Sequence, residues 1–432
     1  MRLTRELDVL RLRDFRLVFG SALVSLVGDG IVPVALTFAV LDLTGSATDL
    51  GVVMAARTVA LVGALLVGGV VADRVSRRTV MVGADLVRLV SQAAIAVLLI
   101  TGRATVLELA ISQAILGAAT GFFNPASSGL IPQVAGEWLQ QANSLRGMAV
   151  AAGSIAGPAI AGALVVASSP GIALAVDAAS YGFSGLLLVR VHVGATARAA
   201  QRFLVDLRDG FVEVRARTWV WATIAVASVI NALAVAFVVL GAVVAKRELG
   251  GAGAWALILA AQGVGALVGG WLLLRLRPRR PMLIAVLIGL LPAVPTLLLA
   301  IPAALAVIAV AGLLAGLGGM VFNTLWETTL QQHIPEIVRS RVSSYDWFGS
   351  LALQTVGFAV IGPFATAVGI STALWICGAV ELLMVAALLA VTDVRAIRAR
   401  PAGVAAAAPE AGRETLEQAP GLVEPPEPIK RA

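Results

Sequence analysis

The chain has almost nothing with which to do covalent, metal or redox chemistry. It holds one cysteine, Cys377, and two histidines, His192 and His333, in 432 residues. No disulfide framework and no thiolate or imidazole metal site is therefore expected. Charge is scarce too: 13% of residues are Asp, Glu, Lys or Arg, against about 25% in a soluble domain. Lysine is nearly missing, with arginine outnumbering it 30 to 2. The phosphate-cradling pattern G-x-x-x-x-G-K-[ST] is absent, which argues against ATP-driven work. No nucleophile and base pattern and no paired acids converge, so the chain is read as neither an enzyme nor a cofactor protein.

What remains is apolar. Hydrophobic residues make up 59% of the chain and the mean hydropathy is +0.94. A hydrocarbon layer about 30 Å thick is crossed by about 20 apolar residues in a helix. Twelve stretches reach that length, at roughly 15–41, 47–72, 79–101, 104–124, 146–168, 171–190, 219–245, 252–274, 281–301, 303–325, 347–369 and 371–392. No period-2 alternation suggests a barrel. An all-α membrane protein with twelve transmembrane helices is expected. MRLTRELDVLRLRDFR holds five arginines and is not followed by a short apolar region with a cleavage site, so the first span is expected to stay as an anchor.

The net charge of +7 invites a nucleic-acid reading, which the placement of the cations opposes. Twenty-seven of the 32 Lys and Arg fall at the termini and in the even-to-odd connections, and three (Arg103, Lys246 and Arg247) fall in the others. Arg57 and Arg88 lie within spans. The positive-inside rule then predicts that both termini are cytoplasmic, and the inner membrane of a bacterial cell is the expected setting. Residues 192–218 carry Phe203, Leu204, Leu207 and Phe211 at helical spacing and read as a surface amphipathic helix. It would join a first six-helix bundle, 1–191, to a second, 219–395, ahead of a tail at 396–432 rich in Ala, Pro and Glu and expected to be disordered.

The halves repeat one another. FFN at 122–124, IP at 131–132 and GP at 157–158 are matched by VFN at 321–323, IP at 334–335 and GP at 362–363. Their separations of 199, 203 and 205 residues describe a parallel repeat, and Gly69 with Gly270 extends it. Two pseudo-symmetric bundles around a site that alternately faces each side are expected.

GGVVADRVSRRTVM at 68–81 resembles the G-x-x-x-D-[RK]-x-[GS]-R-[RK] signature of the major facilitator superfamily. GSIAGPAIAGA at 153–163 is similar to that superfamily's span-5 motif of drug:proton antiporters, and SLVGD, LDLTGSA, FFNPASSGLIP, QQANSL and WETTLQQHIP resemble its enterobactin-exporter-like branch. The resemblance implies a cytoplasmic gate of Gly69, Asp73, Arg74, Arg77 and Arg78. Asp73 would meet the positive N-terminus of span 11, and Arg77 and Arg78 would pair with acids such as Asp346. Gly153, Gly157, Pro158 and Gly162 would permit tight packing and a bend. Antiporters of the superfamily often carry an arginine four residues before a span-4 glycine. Here Gln113 precedes Gly117, and Arg57 is the expected substitute.

Intramembrane charges cost about 2.5–3.5 kcal/mol each on insertion scales and so point to function. Asp29 and Arg57 fall at similar depth and are expected to pair, with Asp29 as the coupling carboxylate. Asp177 is assigned to an outer end and Asp85, with Arg88, to an inner end. Glu381 lies midway along span 12. Asn231, Gln262 and Gln354 are further in-span polar groups, and Asn323, Trp326 and Glu327 cluster near the inner end of span 10. The expectation is a monomeric secondary transporter exporting an amphipathic small molecule (a drug, siderophore or secondary metabolite) in exchange for protons. Uptake or facilitated diffusion through the same fold, or a non-transporting receptor, are the alternatives.

Overall fold

The computed structural model describes residues 8–192, 212, 214–276, 278–301 and 303–399. Its helices are α1 Arg13–Thr44, α2 Ala47–Arg74, α3 Arg77–Ile100, α4 Val106–Ala135, α5 Leu139–Ala167 and α6 Pro170–Val189. In the second half come α7 Thr218–Glu248, α8 Ala252–Arg275, α9a Pro281–Ile288, α9b Ala293–Ala300, α10 Leu305–His333, α11 Glu336–Val368 and α12 Ile370–Ala390. By length and composition these form eleven apolar runs able to cross a membrane. One run of 62 residues is split at Gly136, so twelve crossings result. The expected surface helix at 192–218 lies almost wholly outside the described residues, as does the tail from 400 onward.

Local chemistry sets the boundaries. Ser76 caps α3 by accepting from the Thr79 amide, and Thr105 and Glu108 close a capping box on α4, satisfying amides that a helix start leaves without carbonyl partners. Gly45, at φ 64°, ends α1 in a left-handed turn that a side chain would resist. The ninth span departs from expectation: it is two short helices, separated at Gly289–Pro292. Pro292 has no amide hydrogen, and its ring crowds the carbonyl four residues earlier, which favours a break here, although α1 and α5 run on through Pro33 and Pro158.

The repeat is visible in the packing. In the first bundle α1 packs on α5 and α6, α2 on α4, and α3 on α6; in the second α7 packs on α11 and α12, α8 on α10, and α9b on α12. Between the bundles, α5 meets α8 and α11 meets α2. Lipid tails are as apolar as these side chains, so burial alone does not hold such helices together. Close van der Waals packing does. A Cβ at Gly51 of α2 would strike the Phe358 carbonyl of α11, and one at Gly362 of α11 would strike the Thr48 backbone of α2.

The apolar core is distributed unevenly along the bundle axis. At the short-loop end a single cluster runs through both bundles, from Phe38, Leu41 and Leu50 to Val239, Leu240 and Trp255. At the opposite end, where α1 and α7 begin and α12 finishes, each bundle keeps its own cluster. One is built on Phe15, Met81, Leu130 and Leu188, the other on Trp219, Met282, Trp326 and Leu388. The halves are thus closed together at the short-loop end and separate towards the terminal end.

Candidate functional site

That separation leaves a cavity of about 730 Å³ on the axis between the bundles. The first bundle contributes small or bent positions: Gly30 and Pro33 of α1, Ser154 and Pro158 of α5. The second contributes functional groups. Asn231 of α7, Gln262 of α8, Asn323, Trp326 and Glu327 of α10, and Asp346, Trp347 and Gln354 of α11 all face it. The Trp326 indole donates to Asp346 Oδ2 at 2.8 Å, joining α10 to α11, and Trp326 stacks edge-on against Trp219 with centroids 5.8 Å apart. The cavity runs from the level of Pro33 and Asn231 towards the terminal end, where Val385 and Leu388 of α12 border it.

A second polar assembly lies inside the first bundle, among α1, α3 and α6. Ser184 donates to Asp85 Oδ2 at 2.6 Å and is 2.7 Å from Ser21 Oγ. Arg88 pairs with Asp85 at 3.5 Å, its guanidinium lying 4.4 Å from the Phe123 ring centre and 5.4 Å from that of Tyr181. Tyr181 donates to Asp29 Oδ1 at 2.7 Å, and Gln92 donates to Asp177 Oδ2, also at 2.7 Å. Asp85, Arg88, Gln92 and Asp177 are all buried, at 2% exposure or less.

Several expected partnerships are corrected by this geometry. Asp29 and Arg57 form no ion pair within 4 Å. Asp29 takes its hydrogen bond from Tyr181 of α6 instead, because α1 packs closely on α6. Arg77 donates to the Gly129 carbonyl of α4, and Arg78 to the Val189 carbonyl of α6. Neither reaches Asp346, since helix ends within their own bundle offer nearer acceptors and the bundles are apart at this end. The side chains of Asp73 and Arg74, and Gly69, lie outside the described residues.

The remaining expected site residues divide into two groups. Asn231, Asn323, Trp326, Glu327 and Asp346 are brought together around the cavity, as are Gln262 and Gln354. Gln113 and Glu381 are buried away from it, with both amide atoms of Gln113 and Glu381 Oε1 lacking partners among the described residues. Gly153 and Gly157 seat α5 against Leu26 and Gly30 of α1, Gly162 seats it against Ala256 of α8, and Pro158 turns towards the cavity. Asp85, Arg88, Gln92, Asp177 and Tyr181 were not expected to act together. The i, i+3 spacing of Asp85 and Arg88 was the available signal.

The model of the family described as Major Facilitator Superfamily matches residues 17–352. The chain belongs to the Major Facilitator Superfamily. It is therefore a multi-pass membrane protein and a secondary transporter for small molecules, not an enzyme. A protein named multidrug efflux pump Tap, from Mycolicibacterium fortuitum, is 29% identical over 380 residues, covering 82% of this chain and 90% of that one. Among solved structures, the nucleoside transporter NupG superposes with a TM-score of 0.69 at 13% identity, over 87% of this chain and 98% of that one. A POT family transporter in complex with a thioalcohol conjugated peptide gives 0.71 at 11% identity, over 89% and 97%. At such identities these two structures speak for the facilitator fold alone.

Proposed function

We propose that this facilitator exports amphipathic small molecules from the bacterial cytoplasm in exchange for protons, by alternating access to the central cavity. The observation that carries the reading is the cavity itself: it lies on the axis between the bundles, is closed at the short-loop end by a core common to both, and is walled by aromatic and amide side chains. Its size suits a drug-sized ligand, for which pockets of about 300–1,000 Å³ are usual. The relationship to a protein named as a multidrug efflux pump supports export over uptake. The arginine bias supports cytoplasmic termini, which makes the terminal end the cytoplasmic face and this state inward-facing. The units that rock against each other are then 1–191 and 219–395, with 192–218 between them.

Proton coupling is assigned to the acids of the first bundle, with Asp29 as the principal carboxylate and Arg57 as the in-span cation modulating it. Asp29 is separate from the cavity lining, so proton and substrate would act on each other through the shared conformational equilibrium and not by direct competition. Asp73 would close the cytoplasmic side of the opposite state by meeting the N-terminus of α11. Inverted vesicles containing the protein, with an imposed pH gradient and a panel of drugs, siderophores and sugars, test the reading. Gradient-driven accumulation that Asp29→Asn abolishes while substrate binding survives is the expected result. Accumulation indifferent to the gradient would make the protein a facilitative carrier and remove the coupling.

A further inference from the structure

We infer that the substrate of this cavity is an amphipathic organic cation, with the Glu327 carboxylate as its counter-charge. The inference rests on the transport reading above and narrows it to one charge class. Two acids, Glu327 and Asp346, face the cavity, and no lysine or arginine stands among its described lining residues. The two carboxyl groups differ in their engagement. Asp346 is held by the Trp326 indole. Glu327 has no hydrogen-bond or ion-pair partner among the described residues, yet it faces the space between the bundles beside Trp326, with Phe322 and Trp347 also in the wall.

That combination selects by chemistry. A cation approaching the aromatic walls gains from the ring quadrupoles as well as from the carboxylates. An anion of the same shape would meet two acids with no cation to offset them, so catecholate or carboxylate siderophores are disfavoured as substrates. A sugar would lie against Ile230, Leu259, Ala266 and Phe322 as well as against the amides, and its hydroxyls facing those apolar side chains would go without partners. The amides of Asn231, Gln262 and Gln354 can orient polar groups on the cation without adding charge. The counter-charge comes from the second bundle alone, because the first presents only Gly30, Pro33, Ser154 and Pro158 at the heart of the wall.

The test compares two probes of one shape and opposite charge, tetraphenylphosphonium and tetraphenylborate, binding to the full-length protein in nanodiscs, with empty nanodiscs as the partition control. The wild type should bind the phosphonium at least about tenfold more tightly than the borate. Glu327→Gln should reduce phosphonium affinity about tenfold, a difference of about 1.4 kcal/mol, and Glu327→Asp should recover part of it. Unchanged melting temperature and monodispersity in Glu327→Gln guard against a folding artefact, and Asp346→Asn serves as the second variant if that protein fails to fold. Equal or tighter borate binding, or phosphonium binding indifferent to both acid substitutions, would overturn the inference. The transport reading fails separately: phosphonium binding without gradient-driven movement sinks proton coupling and leaves the charge class standing, while gradient-driven export of anions alone does the reverse.

Discussion

The two bundles share a backbone plan and divide the chemistry. In the first, polar and charged side chains turn inward among α1, α3 and α6, where Asp85, Arg88, Asp177 and Gln92 are sealed from the cavity. In the second, the polar side chains at Asn231, Gln262, Asn323, Glu327, Asp346 and Gln354 turn to the axis and build the wall. A duplicated scaffold has thus kept its helix contacts while one copy became a charge store and the other a binding surface. Under the proposed antiport cycle, a proton and a substrate would act on one rocking motion from different places. Interactions of the first kind should be costly to remove and interactions of the second cheap, and that asymmetry can be measured.

The largest effect is expected at Arg88. Arg88→Met leaves the Asp85 carboxyl buried with its cation gone, a change that typically costs about 3–5 kcal/mol. The double change Asp85→Leu with Arg88→Met should recover most of the loss, since an apolar replacement of both partners is often neutral or better. Glu327→Gln, on the cavity wall, should stay within about 0.5 kcal/mol of wild type. Thermal unfolding in nanodiscs decides it. Equal losses at Arg88 and Glu327 would erase the distinction between the bundles.

Next come the helix contacts that the copies share. Gly157→Leu would drive a side chain into Gly30 of α1, and overpacking of this kind costs about 1–3 kcal/mol. Gly63 of α2 is the control: a Cβ there meets nothing within 4 Å. Gly63→Ala should gain roughly 0.5–1 kcal/mol from helix propensity. If both substitutions behave alike in the same unfolding assay, close approach at Gly157 is not what holds α5 to α1.

The architecture was legible from the sequence because it rests on run length and on repeated short motifs. Hydropathy marks crossings, and FFN, IP and GP mark the duplication. The cavity was also partly legible, since Asn231, Asn323, Trp326 and Glu327 are polar groups placed where apolar ones would be free of cost. The partnerships were not. Depth along a span can be counted, but which face of a helix meets which neighbour depends on rotation and tilt set by packing. Asp29 and Arg57 therefore matched in depth without pairing, while Tyr181, which a composition count treats as an ordinary aromatic, supplies the bond to Asp29. The span at 281–301 is present as an apolar run, Pro281–Ala300, but the break within it was not legible, because hydropathy does not register that Pro292 cannot donate a backbone hydrogen bond.

Tyr181→Phe offers a finer cut through the first bundle. It removes the donor to Asp29 and keeps the ring that faces Arg88. The loss expected is about 0.5–1.5 kcal/mol, the net worth of one hydrogen bond. Half of the transport effect of Asp29→Asn or less should accompany it, because the carboxyl itself remains. A transport defect equal to that of Asp29→Asn would mean that coupling turns on the hydrogen-bonded pair and not on the carboxyl alone.

The smallest effect is expected where the bundles touch through charge. Lys246 Nζ at the end of α7 lies 2.6 Å from Asp42 Oδ1 and 2.6 Å from the Leu41 carbonyl at the end of α1. It fastens the halves at the short-loop end, on the side opposite the cavity mouth. The side chains are 34% and 51% exposed, so water and salt screen the pair and its worth is about 0.2–1 kcal/mol. In unfolding experiments so small a term would be lost. In a balance between two conformations it is not, since 1 kcal/mol changes their ratio roughly fivefold. Spin labels at Leu43 and Glu248, both at the closed end, should report a larger separated population in Lys246→Met, which loses both contacts. Asp42→Asn, which leaves the Leu41 carbonyl in place, should show a smaller increase. Raising the salt to about 1 M, where the screening length falls to about 3 Å, should move the wild type towards Asp42→Asn and leave that variant nearly unmoved. Distance distributions identical in all three proteins would show that the apolar core joining Phe38 and Leu41 to Val239 and Trp255 closes this end unaided, and that the Lys246–Asp42 contact between the bundles is incidental to the cycle.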